Sequence, residues 1–87
     1  MKVIEIVQTC SACPAQWEIK LKNGKMIYVR YRWGYLSIRI SAEATTDVYK
    51  AVNGTEVYGK ELGDSFDGCL DELELIGIMK TQGFIFD

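Results

Sequence analysis

Residues 17–41, WEIKLKNGKMIYVRYRWGYLSIRIS, alternate apolar and polar side chains with period two, and the alternation breaks only at Asn23-Gly24 and at Trp33-Gly34. That pattern predicts three antiparallel strands with one buried and one wet face. Because a slip of one residue sends a strand's whole apolar set to the other side, the two turns decide which residues share a face. A two-residue loop at Asn23-Gly24 pairs Lys22 with Lys25 and splits the apolar residues between faces. A three-residue loop, Lys22-Asn23-Gly24, with Gly24 left-handed as a bulge, instead pairs Ile19 with Ile27 and Trp17 with Val29. At the second turn, Trp33-Gly34 as a two-residue loop pairs Tyr31 with Leu36, Val29 with Ile38 and Ile27 with Ile40. The two registers agree. They gather Trp17, Ile19, Leu21, Ile27, Val29, Tyr31, Leu36, Ile38 and Ile40 on one face and leave Glu18, Lys20, Tyr28, Arg30, Arg32, Tyr35, Ser37 and Arg39 on the other.

The rest of the chain reads as cover for this meander. Lys2–Val7 is β-rich and predicts an extra strand beside it. Gln8–Gln16 contains Pro14, which lacks an amide donor, so it reads as a loop or single turn. Ser41–Asp47 is the polar exit from the meander. Val48–Leu62 reads two ways. VYKAV and TEVYGKEL around Asn53-Gly54 favour a second hairpin, whereas Val48, Ala51 and Val52 at helical spacing, with Thr46 and Gly54 as caps, would make a helix; Val and Tyr tip the choice to the hairpin. Gly63–Gly68 is an acidic, turn-rich loop. From Asp71 to Lys80 a helix is predicted, with Asp71 capping its amides, Glu72 and Glu74 at its positive end, and Leu73, Ile76 and Met79 along its inner side. It should lie on the apolar face of the sheet, with Phe84, Ile85 and Phe86 closing the core's edge. The expected fold class is therefore α+β: one domain over residues 1–87, an antiparallel sheet and one C-terminal helix.

Composition narrows the class without adding chemistry. With 87 residues, 48% hydrophobic and 25% charged, the chain is globular and must use its small core fully. It has no apolar run of about 20 residues to span a membrane, and its first residues lack the apolar stretch and cleavage site of a signal peptide. Three cysteines suit a reducing compartment, so a cytoplasmic location is expected. The net charge of -2 hides an asymmetry: residues 1–41 carry seven Lys/Arg against two Glu, and residues 42–87 carry three Lys against ten Asp/Glu. Either the halves attract one another within the fold or they form two faces for different partners.

Four constellations could carry function. Cys10-x-x-Cys13 has the spacing of half a zinc site, but Cys69 is the only other cysteine and there is no histidine; a small structural zinc domain on Cys10, Cys13 and Cys69 is a minor alternative, and no cofactor is expected. The loop around Asp67-Gly68 resembles a degenerate EF-hand calcium loop, with Ser65, Asp67, Asp71 and Glu74 on ligand positions and Leu70 on the apolar one, yet Gly63 stands where the first ligand belongs. Lys20, Tyr28, Arg30, Arg32, Tyr35 and Arg39 make a basic, aromatic sheet face on which single-stranded bases could stack, or which could bind a protein. The carboxylates Asp64, Asp67, Asp71, Glu72 and Glu74 form an acidic stretch suited to a basic groove. Without histidine there is no conventional base for a Ser or Cys nucleophile, and enzymatic activity is not expected. The leading expectation is a small non-enzymatic module, monomer or homodimer, of the accessory kind found in bacteria and phages. It would dock as a regulator or inhibitor on a larger protein through Tyr28, Arg30, Arg32, Tyr35 and Arg39 and the acidic stretch, with no membrane partner. Single-stranded nucleic-acid binding is the runner-up.

Overall fold

The computed structural model describes residues 1–10, 15–32, 34–61 and 70–86. Five strands form one antiparallel sheet in sequence order: β1 (Val3–Cys10), β2 (Ala15–Leu21), β3 (Met26–Arg32), β4 (Tyr35–Ile40) and β5 (Thr55–Glu61). Among the described residues two helices complete it, α1 (Val48–Val52) and α2 (Glu72–Thr81). No helix among the described residues is long and apolar enough to cross a membrane.

The central meander has the register that the turn geometry demands. Ile19 faces Ile27 and Trp17 faces Val29 across β2–β3, and Tyr31, Val29 and Ile27 face Leu36, Ile38 and Ile40 across β3–β4. Gly24 takes φ +88°, a left-handed conformation that costs other residues strain. The Leu21 amide donates to the Lys25 carbonyl at 3.0 Å, closing the bulged turn. All nine apolar-face residues are buried, with Tyr31 2% exposed and Ile40 9%. Leu75 and Met79 of α2, with Phe84 beyond it, join them in one hydrophobic cluster, so the C-terminal helix covers this face.

The two phenylalanines of the C-terminal segment close the core as expected, but Ile85 does not: its side chain is 58% exposed and only its backbone is engaged. Phe84 is buried and Phe86 packs against the cluster, while Ile85 bridges to Lys2 and accepts the Val3 amide at 2.9 Å.

Three sequence expectations are corrected. First, Gln8–Gln16 is not a loop throughout: β1 runs to Cys10 and β2 starts at Ala15, paired as Gln8 with Trp17 and Cys10 with Gln16. The intervening residues 11–14, Pro14 among them, lie outside the described residues together with Trp33, 62–69 and 87. Second, the segment expected as a hairpin is a short helix, α1, followed by the strand β5 that ends at Glu61. Asp47, rather than Thr46, caps α1 by accepting the Tyr49 amide at 3.0 Å, and coiling these residues buries Ala51 completely. Packing against the neighbouring strands β3 and β4 outweighs the strand preference of Val and Tyr. Third, α2 is rotated from its expected setting. Leu75 and Met79 face inward, Leu73 is 76% exposed and Ile76 is half-buried. Glu72, Leu75 and Met79 share a face at spacings of three and four, and Glu72 accepts a hydrogen bond from Nε1 of the buried Trp17 at 3.1 Å. That bond and the two apolar contacts fix the helix's rotation.

After β4 the chain leaves the core face. Ser41 is buried, its hydroxyl accepting the Met26 amide at 3.0 Å and donating to the Glu43 carbonyl at 2.7 Å. The Thr45 amide then donates to Gly24, so this connection passes over the first turn and delivers α1 to the outer side of β3 and β4. Gly54 lies so close to the Ile40 carbonyl that no side chain fits there. Both sheet edges are irregular, with two register shifts in β1 and one in β5. Such bulges hinder edge-to-edge pairing with another chain.

Candidate functional site

The polar face of the meander forms the candidate site. In strands, alternate residues point to opposite sides, so burial of Ile27, Val29 and Tyr31 turns Tyr28, Arg30 and Arg32 outward, and burial of Leu36 and Ile38 does the same for Tyr35, Ser37 and Arg39. These residues, with Val52 and Asn53 from the end of α1 and Glu56 from β5, line an open concavity of about 640 Å3. The structure thus brings together Tyr28, Arg30, Arg32, Tyr35 and Arg39. Lys20 lies on the same face but outside the concavity, where it meets Glu5 at 4.0 Å. Tyr35 is 42% exposed, and Arg30 and Tyr28 are half-buried.

Charges of both signs stand on this face. Across the ladders Glu5 stands opposite Lys20, Glu18 opposite Tyr28, Glu56 opposite Arg39 and Glu61 opposite Tyr35. Four carboxylates therefore interleave with Lys20, Arg30, Arg32 and Arg39. The acidic half of the chain meets the basic half through β5. Within the concavity the balance stays positive, three arginines against Glu56.

Hydrogen bonds order one side of the hollow. Glu56 accepts the Ser37 hydroxyl at 2.8 Å and the Tyr35 hydroxyl at 3.3 Å. Gly59 makes this possible, because a side chain there would collide with the Tyr35 hydroxyl and the Glu56 carboxylate. Desolvation, and next the negative charge of Glu56, raise the Tyr35 phenol above its ordinary pKa, with Arg39 opposing. Arg39 donates through Nη1 to the Gly54 carbonyl at 3.1 Å. Arg30 differs from its neighbours. Its ladder partners, Gln16 and Ser37, are uncharged, and its Nε is buried with no hydrogen-bond partner among the described residues.

The acidic candidates lie elsewhere. Asp71 caps α2, accepting the Leu73 amide at 3.3 Å, and Glu72 is engaged by Trp17, so both have structural duties. Glu74 is exposed on α2. The helix lies against the core face, so Asp71, Glu72 and Glu74 are one layer away from the arginine face and one flat partner surface cannot cover both. Asp64, Asp67, Ser65, Gly63, Cys13 and Cys69 fall outside the described residues. Cys10 is a half-buried free thiol. No group of three or more acidic, cysteine or histidine side chains among the described residues is placed to hold a metal ion.

Sequence reasoning missed Val52, Asn53, Glu56 and Gly59. Reading residues 48–52 as a strand removed the helix that brings Val52 and Asn53 to the rim. Glu56 and Gly59 had only one signal, the alternation of TEVYGKE, and the bulge in β5 between the partners of Ile38 and Arg39 interrupts its parity. No family model, curated protein or solved structure matches the chain.

Proposed function

We propose that this protein is a non-enzymatic interaction module, a regulator or inhibitor that docks on a larger protein through its outer sheet face. The observation that carries the reading is an uncovered tyrosine and arginine concavity on a sheet whose other face is the core. Tyrosine and arginine supply large contact area and directional hydrogen bonds, and they dominate the energetic centres of protein interfaces. Interleaved charges of both signs favour one partner and register over others. They suit a nucleic-acid backbone less well, since Glu18 and Glu61 border the arginines and would repel successive phosphates. Single-strand binding is the second reading, supported by the exposed Tyr35 ring as a stacking platform.

The test is affinity capture from the source cell with wild type, the double variant Arg30→Glu/Arg32→Glu and the opposite-layer variant Glu74→Lys, each verified as folded by circular dichroism. Wild type and Glu74→Lys should retain the same protein in stoichiometric amount, and the double variant should lose it. Equal retention by the double variant rules out this face as the interface. Retention that vanishes with nuclease, or oligonucleotide affinity falling steeply with salt, favours the second reading.

A further inference from the structure

Resting on that reading, we infer that the concavity is a carboxylate site in which Arg30 receives an acidic side chain from an extended, glutamate- or aspartate-bearing segment of the partner. Arg30 is singled out by elimination among the cations of this face. Lys20 faces Glu5, Arg39 is tied to the Gly54 carbonyl, and Arg32 has an interaction of its own. Arg30 stands between uncharged Gln16 and Ser37 with an N–H buried and unsatisfied. A buried donor lacking an acceptor is a standing free-energy cost that an incoming oxyanion removes. Arg30 is half-buried, and a shift of its side chain toward the hollow would bring Nε and one Nη together as the fork that matches the two oxygens of a carboxylate.

The hollow already binds one carboxylate, its own. Glu56 sits on the Ser37 and Tyr35 hydroxyls, which shows that the donors here are arranged for such a group. Glu56 also sets the limits of the site. Its charge lies beside the position of the visitor, so it weakens acidic ligands and holds affinity down until the rest of the interface contributes. Glu18 and Glu61, the ladder partners of Tyr28 and Tyr35, act similarly on longer polyanions. The site therefore takes separated carboxylates on a peptide and discriminates against the continuous charge of a nucleic-acid strand.

The experiment is fluorescence anisotropy with the intact chain and three labelled probes: a short peptide of alternating glutamate and serine, the same peptide with glutamine for glutamate, and a short oligothymidine. The glutamate peptide should bind wild type roughly tenfold or more tighter than the glutamine peptide, as expected for one charge-assisted pair. Arg30→Lys, which keeps the charge and loses the fork, should weaken it by roughly tenfold. Glu56→Gln should strengthen it. Indifference to the glutamate-to-glutamine change overturns the inference using wild-type protein alone, whatever the variants do to folding. So does full binding by Arg30→Lys, or oligothymidine binding more tightly than the peptide. If the captured partner depends on Arg30 and Arg32 but the glutamate peptide does not bind, the carboxylate site is refuted and the interaction face stands.

Discussion

Removing the carboxylate of Glu72 tests how the C-terminal helix is locked to the sheet. Trp17 is fully buried, and its indole N–H donates to Glu72 Oε1 at 3.1 Å. Glu72→Ala leaves that donor without its acceptor beneath the helix. A hydrogen bond to a charged group is worth about 1.5–3 kcal/mol, and a carboxylate in a helix's first turn adds about 0.3–1 kcal/mol. Because the bond is only partly buried, the low end applies, about 2 kcal/mol in all. For a domain of this size that lowers the melting temperature by roughly 8–16 °C. Glu72→Gln keeps an oxygen acceptor and loses the charge, so it should cost about half as much. The helix-end control is Glu74→Ala, expected to lose only the dipole contribution. Urea and thermal melts followed by circular dichroism give the four stabilities. The same substitutions in a Trp17→Phe background, where no indole N–H exists, should lose most of their effect, leaving a coupling energy of about 1–2 kcal/mol. A Glu72→Ala variant no less stable than Glu74→Ala, or a coupling energy near zero, would refute the claim that this bond sets the helix's rotation.

Two glycines should respond in opposite ways. Gly54→Ala places a methyl group against the fixed Ile40 backbone and should cost about 2–3 kcal/mol in urea unfolding; a loss under about 0.5 kcal/mol would show that the α1–β5 junction is not this tight. Gly59→Ala meets only the ends of the Tyr35 and Glu56 side chains, so stability should fall by no more than about 1 kcal/mol while the phenol swings off its carboxylate. Tyr35 titration makes that visible. Because its folded pKa is raised, the fold favours the neutral phenol; its contribution is complete below the ordinary value of 10.0 and is lost as pH rises through the higher folded value. The ultraviolet difference between wild type and Tyr35→Phe should show this late ionisation, and Gly59→Ala should move it back toward the ordinary range; an unchanged titration contradicts the Tyr35–Glu56 contact.

The meander was legible because its information is local. A bulged turn at Gly24 and a two-residue turn at Gly34 each fix one register, and only one combination sends all nine apolar residues to the same side. The outward position of Tyr28, Arg30, Arg32, Tyr35 and Arg39 followed from the same alternation, so most of the candidate site was readable before any fold was known. The capping role of Asp71 was also local, since a side-chain acceptor at that position satisfies amides that the helix itself cannot.

The sheet's register, its two faces and the place where the C-terminal helix begins follow from the residue pattern alone, because turn geometry and strand parity act between residues close in the chain. That Val48–Val52 coils, that α2 turns Leu75 rather than Leu73 inward, and that Glu56 and Glu61 stand among the arginines are settled by contacts between distant parts of the fold. Those outcomes depend on which distant surface each segment meets: β3 and β4 for Ala51, Trp17 for Glu72, the free edge of β4 for β5. Short segments with divided propensities follow the burial and hydrogen bonds on offer there.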